Sequence, residues 1–516
     1  MKLTRRSFLK LNAGAIGAAS VFGAPRMSGA PGVSGAPGLP PSREASADHH
    51  SLGGGGQTRG ITFPSDFVWG ASTSSYQIEG ATKADGRGES IWDVFSRKPG
   101  AILNGQNADT ACDHYNRYRE DVRLMKELGL RAYRFSVSWP RIQPAGTGPA
   151  NDKGLDFYKR LVDELNDAGI APFLTLYHWD FPQALQASGG WLNRSTANRF
   201  GEFASIVARA LSDRVNVWIT MNEPRSFLGG GYVAGVHAPG LKLPLKDVLQ
   251  AGHVLNLAHG EAVLAIRAAA SRNVRVGWAP DCSPAVPVTN SKVDVDAAKT
   301  ATFASPRVRF TESAWWSNNT WWFDPILRGS YPDEGLASVG ADAPSMSAGD
   351  MRTINQPLDF LGVNLYGGSR VRAGDDGRPQ NVPFPRDWPR ADNGWEIVPD
   401  ALYWAPKWLH ERYGLPIYVL ENGLSLHDSP AADGDVHDSR RIEFMTQYLA
   451  ALRRAMADGV PVRGYLHWSL LDNFEWHNGF RERFGLIYVD FATQRRVLKD
   501  SARWYRELMT SGRLAT

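Results

Sequence analysis

Eight short runs rich in β-branched and aromatic residues, separated by helical or polar stretches, set the tightest limit on how this chain can fold. They lie at 67–72 (FVWGAS), 131–137 (RAYRFSV), 171–177 (APFLTLY), 215–221 (VNVWITM), 274–279 (VRVGWA), 359–364 (DFLGVN), 416–420 (PIYVL) and 462–468 (VRGYLHW). Between them, 114–128 and 155–168 repeat apolar residues at helical spacing, and Gly169 follows the second as a helix-ending glycine. Eight strands separated by helices is the count of a (β/α)8 TIM barrel, an α/β fold built as one domain. A doubly wound open sheet is the competing layout, but no GxGxxG follows the first strand. No internal repeat of fixed period is present.

The first sixty residues have a different character. Thr4-Arg5-Arg6-Ser7-Phe8-Leu9-Lys10 precedes a Gly/Ala-rich apolar run at 11–23, the layout of an export signal. The paired arginines before Phe8-Leu9 resemble the twin-arginine class. That run is shorter than the ~20 residues needed to span a bilayer, so no stable membrane anchor is expected. Residues 1–30 read as the signal peptide, 31–60 as a Gly/Pro/Ser-rich disordered linker, and 61–516 as the barrel. The expected location is therefore periplasmic or extracellular.

Charge and cysteine content exclude several classes. The formal net charge is +4, but residues 1–60 hold seven Lys/Arg against two Asp/Glu. The remainder carries 50 basic and 51 acidic groups, no footprint for nucleic acid. Cys112 and Cys282 are too few for a disulfide scaffold or a Cys-rich zinc module, and read as free buried thiols. Neither HExxH nor EF-hand spacing occurs, so no metal or other cofactor is expected. His253, His259 and His437 lack ligand partners at metal-binding spacing and read as surface or cap residues.

Polar and aromatic residues gather at the C-terminal ends of the strands, which converge on one rim of a barrel. Strand one runs into Ser75-Tyr76-Gln77-Ile78-Glu79-Gly80, and strand three ends in Tyr177-His178-Trp179-Asp180. Strand four ends in Thr220-Met221-Asn222-Glu223-Pro224, strand six in Asn364-Leu365-Tyr366, and strand seven in Leu420-Glu421-Asn422-Gly423. Strand eight gives His467-Trp468-Ser469, then Asp472-Asn473-Phe474-Glu475-Trp476. Glu223 and Glu421 each follow an apolar strand directly, on opposite sides of the mouth. Two facing carboxyls are the machinery of glycoside hydrolysis, where environment holds one protonated and the other ionised. Alternatively each pairs with a buried arginine, and Arg134 in strand two is available. All eighteen tryptophans lie beyond residue 60, and some of them suit a sugar's flat C–H face. Core packing is the expectation for Trp218, Trp278 and Trp504.

Several motifs in order, TMNEP, YVLENG, SYQIEG, LYHWDFP, GYVAGVHAPG and LHWSLLDNFEW, together resemble glycoside hydrolase family one, the β-glucosidase family. RFSVSWPRI (134–142), WWFDPILRGSYP (321–332) and RFGLIYVDF (483–491) extend the likeness over nearly all of 61–510. The resemblance implies a TIM barrel hydrolysing terminal β-D-glucosyl residues with retention, and β-galactosidase or β-fucosidase side activity. By matching motif, Glu223 is the general acid/base and Glu421 the nucleophile. Arg134 and Tyr366 orient Glu421. Asn222 meets the sugar 2-hydroxyl, while Gln77, His178 and Glu475 take the 3-, 4- and 6-hydroxyls. Trp468 is the platform under the ring, with Trp179, Trp476 and Tyr366 beside it. The partner implied is a small β-glycoside or short oligosaccharide. Two departures, Leu420 for the family's Thr and Leu365 for its first Tyr, are expected to reshape the wall near the sugar. Family relatives acting on 6-phosphorylated sugars replace the carboxylate at Glu475, so neutral glycosides are expected. A transglycosylating enzyme and a catalytically silent glycan-binding barrel are the alternative readings.

Overall fold

The computed structural model describes residues 61–304 and 318–515; the expected signal peptide and linker lie outside the described residues. All eight expected strands form, and they close into one parallel barrel. They are β1 (Val68–Ser72), β2 (Ala132–Ser136), β3 (Ala171–Tyr177), β4 (Val217–Asn222), β5 (Arg275–Ala279), β6 (Phe360–Asn364), β7 (Ile417–Glu421) and β8 (Val462–Trp468). Each pairs with its neighbours in chain order, and β8 closes onto β1.

Outside the strands stand α1 (His114–Glu127), α2 (Asp152–Asp167), α3 (Ser195–Leu211), α4 (Leu245–Ala269), α5 (Asn319–Arg328), α6 (Ala401–Tyr413), α7 (Ser439–Ala457) and α8 (Asp500–Ser511). Helix α2 starts three residues before the apolar pattern does, because Asp152 in a first turn needs no buried face and its charge suits the helix N-terminus. Gly169, at φ +77°, ends it as expected.

Two apolar layers hold the barrel. Ala132, Phe173, Val217, Ile219, Phe360, Tyr418, Leu420 and Leu466 plug its interior, while a larger cluster joins the strands' outer faces to the helices. Trp218 and Trp278 are buried in that outer layer and Trp504 packs against it, as expected. Cys112 and Cys282 are both buried and free.

Two histidines depart from expectation. His253 and His259 are buried, because α4 packs against α3 and runs deep beside the barrel. His253 Nε2 meets Asp350 Oδ2 at 2.9 Å, and His259 Nδ1 meets Thr220 Oγ1 at 2.7 Å. His437 is exposed between Asp433 and Asp500, whose hydrogen bonds push its pKa up to about 9. A small sheet of Ala285–Pro287, Ser369–Ala373 and Pro379–Asn381, built from the loops after β5 and β6, was also not apparent from the sequence. Strands of three to five residues, one of them exposed along its whole length, carry too little apolar pattern to register.

Candidate active site

Strand side chains alternate between barrel interior and helix layer, so Val217, Ile219, Tyr418 and Leu420 all point inward. Strict alternation would next bring in residues 221 and 422. Instead, the pairing register shifts between Ile219 and Asn222 in β4, and between Val419 and Glu421 in β7. Such bulges re-aim the succeeding side chains by one position. Asn222 and Glu421 therefore face the interior. Glu223 then leaves β4 in a left-handed conformation at φ +45°. Trp179 (φ +78°) and Trp476 (φ +53°) share that unusual backbone and line the same cavity. A non-glycine residue held there stores about 1–3 kcal/mol, which surrounding packing must offset. After Glu421, the chain passes so close to Trp468 that a Cβ on Gly423 would lie 1.8 Å from the Trp468 carbonyl oxygen. Only glycine fits there.

Arg134, fully buried, uses all three guanidinium nitrogens at this rim. Nη1 donates to Glu421 Oε1 at 2.5 Å, Nη2 to Asn222 Oδ1 at 2.6 Å, and Nε to Thr175 Oγ1 at 3.0 Å. Tyr366 donates its hydroxyl to Glu421 Oε2 at 2.9 Å. Burial pushes the Glu421 carboxyl up, while the charge and hydrogen bonds of Arg134, then Tyr366, oppose the rise.

Among the described residues, no ion pair reaches Glu223. Asn364 Nδ2 donates to its Oε1 at 2.7 Å and to Asn222 Oδ1 at 2.9 Å. Burial drives the Glu223 carboxyl well above the usual range, and the negative charges of Asp281 and Glu421 add to it. Asn364 and Arg225 offset only part of that rise. Of two carboxyls in one cavity, the one clasped by Arg134 is thus the better anion and the other the better acid.

The remaining walls are aromatic and polar. Trp179 stacks on Trp476 with centroids 4.6 Å apart, and His178 stacks on Trp468 at 5.7 Å. Since Asn222 Oδ1 accepts from two donors, its Nδ2 must be the donor to His178 Nε2, 3.1 Å away. That leaves the proton on Nδ1, which has no partner among the described residues. Burial, then the charge of Arg134, holds the His178 pKa well below its usual range. Glu475, partly open to the cavity, is pushed up to about 8 by burial, Glu482 and Glu421.

The structure brings Glu223, Glu421, His178, Trp179, Asn222, Tyr366, Trp468, Glu475 and Trp476 to one cavity. Gln77 and Arg134 stand behind it: Gln77 Nε2 donates to Glu475 Oε2 at 3.3 Å and to Asn473 Oδ1 at 3.0 Å. Leu420 and Leu365 do not reshape the wall as expected. Leu420 points into the apolar plug beneath the site, and Leu365 is fully buried in the outer layer, its carbonyl accepting from Asn422 Nδ2 at 2.6 Å. Three contributors went unassigned: Asn364, and the pair Arg225–Asp281, joined at 2.6 Å beside Glu223. Asn364 stands in the strand-six motif, but nothing in a sequence shows that its amide reaches across to β4. Among the described residues no group of three or more His, Cys, Asp or Glu is placed to hold a metal ion, and no helix is long and apolar enough to cross a membrane.

Splitting a glycosidic bond takes an acid and a carboxylate on either side of a sugar-sized opening, and this mouth supplies both. The class that fold and site define is a glycoside hydrolase. Comparison with known proteins narrows it: the model of Glycosyl hydrolase family 1 matches residues 59–513, and the chain belongs to that family, whose enzymes are retaining glycosidases. Beta-glucosidase A of Thermotoga maritima is 43% identical over 454 residues, covering 88% of this chain and 98% of the relative. A bifunctional beta-D-glucosidase/beta-D-fucosidase of Bifidobacterium breve is 42% identical, covering 87% and 98%. The solved Thermotoga maritima β-glucosidase in complex with glucoimidazole superposes with a TM-score of 0.79 at 42% identity, over 88% of this chain and all of that one.

Proposed function

We propose that this chain is an exported β-glucosidase that removes terminal β-D-glucosyl residues from neutral glycosides by double displacement, with β-fucosidase or β-galactosidase side activity. Glu421 attacks the anomeric carbon while Glu223 gives its proton to the departing oxygen, so the glycosidic C–O bond breaks as the ester to Glu421 forms. Glu223, now a carboxylate, takes a proton from water, which displaces Glu421 and regenerates both groups. Asn222, His178 and Glu475 bind the sugar hydroxyls with Gln77 supporting Glu475. Trp468 lies under the ring, with Trp179 and Trp476 beside it.

The single observation carrying this reading is the split between the two buried carboxyls: Arg134 and Tyr366 clasp Glu421, whereas Asp281 and Glu421 load negative charge against Glu223. The relatives' printed names support the glucoside and fucoside preference. Glu475 offers a 6-phosphate no positive charge, and repels it once ionised above about pH 8, which supports neutral substrates; cellobiose, the fragment left by cellulose breakdown, is one.

A 2-deoxy-2-fluoro glucoside with an activated leaving group tests the mechanism. Peptide mass spectrometry should find the fluoroglucosyl group on Glu421; its absence, or its appearance elsewhere, refutes double displacement through this residue. Export is proposed on Arg5 and Arg6. Replacing both by Lys should leave the enzyme inside the cell, and undiminished export would contradict a twin-arginine signal.

A further inference from the structure

The N-terminal end of the barrel, opposite the active site, has a second cavity of contrasting charge. Its walls include Arg131, Arg214, Arg272 and Arg275 and no acidic residue. The strand register assembles it. Ala171 of β3 bonds to the Arg131 carbonyl, Phe173 of β3 pairs with Val217 of β4, and Val217 pairs with Arg275 of β5. Ser212 and Ser271 tie the flanking loops together, Ser271 N donating to Ser212 Oγ at 2.9 Å, so Arg214 and Arg272 arrive side by side. Phe173 and Val217, from the barrel's apolar plug, also line the cavity.

Arg214 is neutralised by Asp163 at 2.8 Å and Asp213 at 3.1 Å. The other three have no carboxylate partner among the described residues. Arg131 donates to the Ser65 carbonyl at 2.8 Å and Arg275 to the Tyr418 hydroxyl at 3.2 Å, neutral contacts that leave their charge uncompensated. All three are exposed, so water screens their mutual repulsion, yet they line one recess in a body whose residues beyond 60 are balanced overall. At the opposite end the catalytic cavity is acidic, with Glu223, Glu421, Glu475, Glu482, Glu396 and Asp281 against Arg225 and Arg481.

We propose that this recess is a binding site for a multiply charged oxyanion, a phosphoryl group either free or carried on a polymer. Guanidinium forks match the geometry of phosphate oxygens, and a doubly charged group answers several cations where a carboxylate would answer one. Because the recess and the catalytic mouth occupy opposite ends of the barrel, occupancy leaves the mouth open.

The test compares the full chain with a triple variant, Arg131→Gln, Arg272→Gln and Arg275→Gln. Melting temperature is followed as inorganic phosphate replaces chloride at constant ionic strength. Wild type should show a saturable rise of roughly a few degrees, as for any ligand held only by the folded state. The half-saturation point should move at least about tenfold higher in the triple variant, with kcat/KM on an aryl β-glucoside unchanged in both. Long-chain polyphosphate is the second arm. Tighter binding per phosphoryl group than inorganic phosphate assigns the site to a polymer, and equal binding assigns it to the free ion. No rise in wild type, or the same rise in the variant, overturns the proposal.

Discussion

Arg134 and Glu421 are joined nitrogen to oxygen at 2.5 Å with both side chains buried, and that contact fixes which of the two carboxyls is the anion. Arg134→Gln should leave Glu421 buried without its cation. Breaking a buried pair costs about 3 kcal/mol or more of folding stability, and losing one preorganised charge contact at the reacting carboxylate should lower kcat/KM by ~100-fold. The pH effect has a definite sign: the pKa of Glu421 rises, so the acid limb of kcat/KM should move to higher pH. An unmoved acid limb in a folded variant would separate Arg134 from the ionisation of Glu421.

Burial of Glu223 sets the alkaline limit, and Asp281 should push it further up. Its charge helps hold Glu223 protonated, so Asp281→Asn lowers the Glu223 pKa, and freeing Arg225 from its partner acts in the same direction. Activity should be lost at lower pH than in wild type, with the effect greatest for poor leaving groups that need the proton. A pH–rate series with alkyl and nitrophenyl glucosides reads both.

Glu475 links pH to stability as well as to binding. Its folded pKa, pushed up to about 8, exceeds that of the unfolded chain, so the folded state holds this proton more tightly. Its contribution is complete below the ordinary carboxyl pKa and is lost as pH rises through about 8. Glu475→Gln cannot titrate, so the fall in Tm between about pH 4.5 and about pH 8 should flatten. Calorimetry across that window checks it.

Leu420 should matter to stability and not to sugar choice. Leu420→Thr removes apolar volume from the plug and buries a hydroxyl there, which should cost ~1–3 kcal/mol. The ratio of glucosidase to fucosidase activity should stay as in wild type. A changed ratio would return this side chain to the sugar's surroundings.

The barrel was legible because each strand is buried on both faces and so reads as an apolar run that polar loops cannot imitate. Glu223 and Glu421 were legible because carboxylates directly after such runs have few other uses. The two bulges that turn Asn222 and Glu421 inward left no mark, since a register shift depends on the neighbouring strand. The same holds for Asn364 and Asp281, whose partners lie on other strands or loops. The sequence placed His259 outside the core because a histidine alone says nothing of Thr220, 39 residues away, which accommodates it.

Asn222 has no acceptor capacity to spare. Both lone pairs of its Oδ1 are taken, by Arg134 Nη2 and Asn364 Nδ2, and one Nδ2 proton goes to His178. Only a single N–H remains to offer. A hydroxyl arriving at Asn222 must therefore accept, and its own hydrogen must seek another oxygen. The side chain acts as a one-way valve for hydrogen-bond polarity: it dictates which way the incoming O–H points before any bond is made or broken.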